Sequence, residues 1–258
     1  MQDAEGNSTV ISEYMKSGDI TLTRDLAAGT YYLQFRHFDG TGVFSFKTTF
    51  KDAKETYTFA NNSANEVRSK APVPFSKVIN GQIAVNDDAD YFKVTIPKKG
   101  SYTIKLSSAV DQIILGIRDK NDNYIEDYYH YKGTALYRVT LSKGVHYFHC
   151  KKWSGTGTYN FKIYPTGNKI SKLKKGSKSM TVKWTKGTGD GYEIQYSLKK
   201  NFSKAKTVTI KNATTLSKTI KKLKAKKTYY VRVRTFVKSD GGKIYSNWSQ
   251  AKKVTTGK

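Results

Sequence analysis

Three groups of side chains in this 258-residue chain stand at spacings that suit chemistry. The first is aromatic: Tyr124, Tyr128, Tyr129 and Tyr131, with His130 among them. Tyrosine rings on a β-sheet surface can stack on sugar rings. Period-two alternation cannot bury all of Tyr128, Tyr129, His130 and Tyr131 on one side, so part of the cluster must face solvent. These four tyrosines are the first choice for a glycan contact; the plainer role is packing across a hairpin.

The second group is cationic. Lys221, Lys222, Lys224, Lys226 and Lys227 form the densest run, with Lys172, Lys174, Lys175, Lys199 and Lys200 in shorter ones. If these lysines face one way, they raise the local anion concentration and give a salt-dependent affinity for a wall polymer or an acidic glycan. The plainer role is a solvated surface that guards exposed strand edges. Lysine rather than arginine argues against bidentate phosphate recognition. No nucleic-acid motif accompanies the runs, so no specific nucleic-acid partner is expected.

The third group is acidic. Asp87, Asp88 and Asp90 offer carboxylates to Ca²⁺, an ion that takes roughly six to eight oxygens. Asp119, Asn121 and Asn123 open like an EF-hand loop, but Tyr124 occupies the glycine position and His130 the glutamate position. Both segments read more simply as Asx turns. Calcium at Asp87, Asp88 and Asp90 is the one metal the residues suggest, and they call for no organic cofactor.

Catalytic patterns are missing. The one cysteine, Cys150, excludes an intramolecular disulfide and a cysteine metal site. His146 and His149 are an odd number of residues apart on a predicted strand, so they project to opposite faces. No Ser-His-Asp or Cys-His order, phosphate-binding glycine loop or carboxylate pair stands out. The loop at 238–243 carries no Arg-Gly-Asp. The expectation is a chain that is not an enzyme. Arg232 and Arg234 alternate with Val231 and Val233, so both should point outward, where Trp248 in the next strand offers a structural guanidinium–indole stack or, alternatively, a ligand platform.

The elements that must position these residues are strands. Residues 22–47 and 137–162 are copies of each other, 115 positions apart without a gap, and 8 of 26 positions are identical. Conserved within the pair are Gly29/Gly144 and the turns Gly40-Thr41-Gly42 and Gly155-Thr156-Gly157. Such repetition marks an array of modules. The first copy has few residues before it, which predicts that residues 1–52 hold only the closing strands of a module, at 21–26, 31–35 and 43–50. Cys150 aligns with Phe35, which predicts a buried, inert thiol. Abundant Tyr (19) and Phe (12) fit strand composition. No apolar run approaches the roughly 20 residues of a membrane span.

Residues 53–82 are polar and carry prolines, and read as a linker entering the second module. From there to 165, apolar residues alternate: Phe92, Val94, Ile96; Ile104, Leu106; Leu115, Ile117; Tyr137, Val139, Leu141; Phe148, Cys150; Tyr159, Phe161, Ile163. That pattern predicts an antiparallel sandwich. Charge is uneven. Residues 166–258 hold 25 Lys and Arg against three acids, a net +22 of the total +26.

Two family resemblances follow. Residues 53–165 carry Asp87-Asp88-Ala89-Asp90-Tyr91-Phe92-Lys93-Val94, a Lys-Lys-Gly turn, Tyr102-Thr-Ile-Lys-Leu106, Leu141-Ser-Lys-Gly-Val-His-Tyr-Phe148 and Gly157-Thr-Tyr-Asn-Phe161. In that order they resemble the bacterial pre-peptidase C-terminal β-sandwich, an accessory module of secreted enzymes. The family opens with a Glu-Pro-Asn-type segment, for which Ala60-Asn61-Asn62-Ser63 is the nearest match, without the proline. Residues 166–258 resemble a fibronectin type III domain. Val182-Lys183-Trp184 fits the strand of the core Trp, and 191–197 fits the next inward strand. Leu223, Tyr229, Val231 and Val233 fit the tyrosine corner, and Asn247-Trp248-Ser249 the last strand. The expectation is an all-β chain of tandem antiparallel sandwiches. The resemblances imply an extracellular or cell-surface accessory or adhesion region of a bacterial protein, binding glycan or an anionic cell-wall polymer. The alternatives are the tail of a secreted hydrolase or peptidase with its catalytic domain upstream, or a passive spacer. Oligomeric state is not readable from the residues.

Overall fold

The computed structural model describes residues 2–3, 18–26, 30–36, 39–52, 54, 72–85, 87–239 and 241–258. The described residues form strands and no helices, as the composition predicts. Among the described residues no helix is long and apolar enough to cross a membrane. His37, Asp240 and the Ala60–Ser63 segment lie outside the described residues.

Among the described residues of the first 54, the strands are β1 (Gln2–Asp3) and β2 (Tyr31–Tyr32), paired antiparallel. The expected strands at 21–26 and 43–50 do not form, and 31–35 shrinks to two residues. The reason is visible in the repeat. Tyr159 and Phe161, the counterparts of Phe44 and Phe46, are buried in a closed core, whereas Phe44 and Phe46 are 68% and 62% exposed. Alternating sequence yields a strand only where a neighbouring strand completes the ladder. Phe35 instead gathers Phe44 and Phe46 around it at ring distances of 4.7 and 5.2 Å. Asp25 ties the segment to the next sandwich. Its backbone oxygen accepts from Val85 N, and its carboxylate accepts from Gln82 and Thr156.

The second sandwich contains β3 (Val78–Ile83), β4 (Ala89–Ile96), β5 (Gly100–Asp119), β6 (Tyr124–Leu141), β7 (Gly144–Ser154) and β8 (Gly157–Pro165). The hairpin β5–β6 runs its whole length and breaks register between Ser108 and Gln112. The first half of β5 pairs with β8 and the second half with β7. One bent hairpin therefore serves both layers, with β3 flanking β8 and β4 flanking β7. The predicted alternation is met: Phe92, Val94, Ile104, Leu106, Leu115, Ile117, Phe148, Cys150, Phe161 and Ile163 make one core.

Residues 73–83 are not linker. Val73, Ile79 and Ile83 are buried, and β3 pairs along β8. Asn80-Gly81, within the expected linker, sits mid-strand, and the Tyr159 ring occupies the space beside Gly81. A Cβ on Gly81 would lie 2.2 Å from the Tyr159 ring. That ring reaches into the core to donate its hydroxyl proton to Asp90.

The last sandwich has β9 (Ile170–Gly176), β10 (Ser179–Trp184) and β13 (Ser217–Ile220) in one sheet. The other holds β11 (Gly191–Ser197), β12 (Lys206–Ile210), β14 (Thr228–Ser239), β15 (Gly242–Tyr245) and β16 (Lys252–Thr255). Trp184, Tyr192, Ile194, Leu223, Tyr229, Val231 and Val233 share its core. The Tyr229 hydroxyl accepts from Lys224 N at 3.1 Å, the tyrosine corner that the spacing predicted.

Candidate functional site

Three surfaces collect the residues that could meet a partner. The first is an end of the last sandwich. The β9–β10 turn brings Lys178 beside the 221–227 loop, where Leu223 N donates to Lys178 O. The β11–β12 loop arrives at the same end, since Ser197 pairs with Tyr230 near the start of β14. The chain end does too, through Gly257 N to Gly176 O. Ten lysines therefore crowd one pole: Lys178, Lys199, Lys200, Lys204, Lys221, Lys222, Lys224, Lys226, Lys227 and Lys258, all exposed. No acid lies in these loops. The described acids of this domain, Asp190 and Glu193, sit toward the opposite end.

Backbone strain accompanies the pole. Lys178, Lys204, Lys222 and Lys226 have φ of 41°, 53°, 59° and 51°. This left-handed region favours glycine and asparagine and costs other residues roughly 1–2 kcal/mol each. Turn chemistry alone would not choose lysine there.

The second surface is the outer face of the second sandwich. Tyr129 pairs with Ile114, Tyr131 with Gln112 and Asp127 with Gly116, so all point away from the core. Tyr129 is 58% exposed, and its ring meets Trp153 of β7 edge-on at 6.0 Å. Tyr124 is also exposed and lies beneath Arg118, whose guanidinium grips Asp127 at 2.7 Å. Tyr128 does not join them. It pairs with core Leu115, stacks on Tyr137 at 4.4 Å and donates to Arg138 O. Alternation thus divides the predicted cluster, putting Tyr128 on the core side and Tyr129 and Tyr131 outside, while the register shift between Ile117 and Arg118 leaves Tyr124 exposed as well. Trp153 was missed as a member of this exposed aromatic group. Its parity with His149 and Lys151 on β7 was the signal that would have found it.

His149 lies on the same outer face, flanked by Tyr91 at 5.1 Å. Burial, with the nearby Arg118 charge, holds its pKa down to about 4, so it is neutral at pH 7. His146 projects to the other side, as the spacing predicted, where Ser142 and the Gly144 carbonyl meet its ring. Cys150 is buried, and burial raises its thiol pKa well above the ordinary value, so no thiolate forms.

The three aspartates proposed for calcium do not converge. Asp90 turns into the core to accept from Tyr159, Asp87 is buried, and Asp88 is exposed beside Lys152. Asp87 and Asp88 precede β4, so the ladder that aims Asp90 inward does not orient them. Among the described residues no group of three or more His, Cys, Asp or Glu is arranged to hold a metal ion. Asp119 accepts from the backbone of Asn121 and from both the backbone and side chain of Asn123. This is an Asx turn, and these bonds hold the Asp119 carboxyl below its usual pKa.

The third arrangement is a ladder on the last sandwich. Phe202, Arg232, Trp248, Arg234 and Tyr245 stack in turn, with guanidinium-to-ring distances of 4.1, 4.7, 4.2 and 3.6 Å. Gln195 accepts from Arg232, and Glu193 accepts from Arg234 and Tyr245. Between β15 and β16, Ser246 Oγ and Ser249 Oγ accept from the N–H groups of Thr235 and Val233, taking the place of strand carbonyls. This arrangement shapes the strand edge, with Trp248 held between two arginines.

The class is a tandem of antiparallel β-sandwiches. Residues 164–252 match the family model of the fibronectin type III domain, and the topology of the last sandwich agrees. No curated protein matches the chain. Among solved structures it is similar to the pre-peptidase C-terminal domain of a collagenase from Bacillus anthracis. The identity is 15%, with 36% of this chain and 91% of that one covered, at a TM-score of 0.32. It is also similar to the FN5 domain of Drosophila Lar, at 21% identity over 36% of this chain and 98% of that one, with a TM-score of 0.30. A β-1,2-glucanase from Parabacteroides distasonis is 11% identical over 65% of this chain, with a TM-score of 0.31, and the match spans 30% of the glucanase.

Proposed function

We propose that this chain is a non-catalytic accessory region of an extracellular or cell-surface protein, and that its last sandwich holds it to an anionic cell-wall polymer. The observation that supports this most is the lysine pole. Several loops far apart in sequence bring ten lysines and no acid to one end. A patch of one sign attracts an oppositely charged polymer over roughly a Debye length, about 8 Å at physiological salt. Lysines kept at left-handed turn positions add weight, since glycine or asparagine there would stabilise the fold. Compact, mobile ammonium groups suit a flexible polymer with repeated charges.

Binding of the chain to purified bacterial walls is expected to fall steeply with salt and to vanish by about 0.5 M. Replacing Lys222, Lys224 and Lys226 by Gln is expected to reduce the slope of log affinity against log salt. Binding that persists in high salt, or a triple variant that binds like the parent, would overturn the reading.

A second reading rests on the outer face of the second sandwich, where Tyr129, Trp153, Tyr131 and Tyr124 are exposed together. It is a neutral-glycan platform that works by ring stacking. On a glycan array its signal is expected to survive salt and to be lost in Trp153→Ala. A signal unchanged by that substitution would remove it.

A further inference from the structure

The junction between the last two sandwiches is built, not merely linked. Thr166 N donates to Ser101 O, and its hydroxyl meets those of Ser101 and Thr103, both at 3.1 Å. Ser101 N donates to Thr188 Oγ1, and Lys98 pairs with Asp190. Asn247 donates its amide to the Tyr164 hydroxyl at 3.1 Å. Beside these bonds lies a cleft of about 280 Å³ lined by Lys105, Lys162, Tyr164, Tyr245 and Asn247. Three of those residues come from one sandwich and two from the other.

The charge arrangement in this cleft is unusual. Lys105 and Lys162 are direct cross-strand partners in the β5–β8 ladder. Like charges opposite one another destabilise a sheet, and no acid pairs with either lysine among the described residues. Glu193, the nearby carboxylate, is already engaged by Arg234, Lys243 and Tyr245. An anion in the cleft would offset the repulsion. The remaining lining is the edges of two tyrosines and a carboxamide; Arg234 already covers a face of Tyr245, so what these groups offer a sugar is the remaining hydrogen-bonding capacity of the two hydroxyls and the Asn247 side chain. The volume lies just below the roughly 300 Å³ at which ligand pockets begin, which limits the occupant to a small molecule or one unit of a polymer.

We infer that this inter-sandwich cleft is a binding site for an acidic sugar, with Lys105 and Lys162 holding the carboxylate and Tyr164, Tyr245 and Asn247 holding the ring. The site is independent of the lysine pole, which stands at the other end of the last sandwich.

The test is a titration of the full chain with sodium glucuronate, followed by NMR on the Asn247 side-chain amide and the rings of Tyr164 and Tyr245. Saturable shifts at these groups are expected, with glucose binding about tenfold more weakly for want of the charge-assisted bonds. The pair Lys105→Gln and Lys162→Gln is expected to abolish the difference between the two sugars, while Lys105→Arg with Lys162→Arg preserves it. Gln substitutions at Lys222, Lys224 and Lys226 are expected to leave it unchanged. Shifts that map to the pole, equal binding of glucose and glucuronate, or a Gln pair that still prefers glucuronate would each overturn the assignment. A parent chain that shows no wall binding while its glucuronate response is intact would count against the pole alone.

Discussion

His149 shows how one buried group sets a pH response. Burial is the largest cause of its depressed pKa, about 4 against 6.5 for the free side chain, with Arg118 adding to it and Asp127 opposing. In the unfolded chain His149 takes up a proton near pH 6.5, and in the fold only near pH 4. Its neutral form is thus favoured by folding, and stability is lost as pH falls through that window. A gap of that size corresponds to at most about 3 kcal/mol. His130 and His146 are shifted down for the same reason and add to the slope. Urea unfolding between pH 7 and pH 5 is expected to show falling stability, and His149→Gln is expected to flatten the trend without removing it. Stability that stays level over that range would contradict the buried, neutral assignment. The parity of His146 and His149 was legible in the sequence, but the burial behind the shift was not. It depends on Tyr91, brought alongside from β4.

At the scale of elements, the Arg–Trp ladder carries a ranking. Both arginines alternate outward from β14 and both stack on Trp248, but their partners differ. Arg232 meets neutral Gln195, while Arg234 meets Glu193, whose side chain is 8% exposed. Removing a cation from a buried carboxylate costs more than losing a surface stack. Arg234→Ala is expected to destabilise the last sandwich by about 2–3 kcal/mol, and Arg232→Ala by about 1 kcal/mol. Thermal melts of the two variants test the order, and equal losses would show that stacking dominates. Outward alternation of the arginines and the nearness of Trp248 were readable in the chain. Glu193 as the discriminating partner was not, because it enters from β11 across the sheet.

Across the whole molecule, the second and third sandwiches meet through Lys98–Asp190, Ser101–Thr188 and Tyr164–Asn247. The ion pair is partly exposed, so it contributes little to stability, about 0–1 kcal/mol. Its role is orientation. Lys98→Ala, which leaves the Asp190 carboxylate to accept from Lys238 N within its own sandwich, is expected to leave both melting transitions within about 1 kcal/mol of the parent while broadening the relative orientation of the two sandwiches, seen as reduced residual dipolar couplings. Unchanged couplings would mean that Thr166 and the Tyr164–Asn247 bond suffice. The acidic-sugar site depends on the same junction, so Lys98→Ala is also expected to weaken glucuronate binding.

The residue pattern alone carried the class of fold, the core of the last two sandwiches, the tyrosine corner, the outward arginines and the burial of Cys150. Each follows from alternation or turn chemistry acting within one strand or between sequence neighbours, and the order along the chain records those. It could not tell that the strands expected at 21–26 and 43–50 lack partners, or that Asn80-Gly81 belongs mid-strand beside the Tyr159 ring. Nor could it tell that Asp90 leaves its neighbours for the core, or that Tyr128 parts from Tyr129. Above all, it could not tell whether the lysines converge. Which loops share an end of a sandwich, and which lysines face each other across a ladder, depends on strand order and register. Those are long-range choices made by the closed core, and no local spacing encodes them.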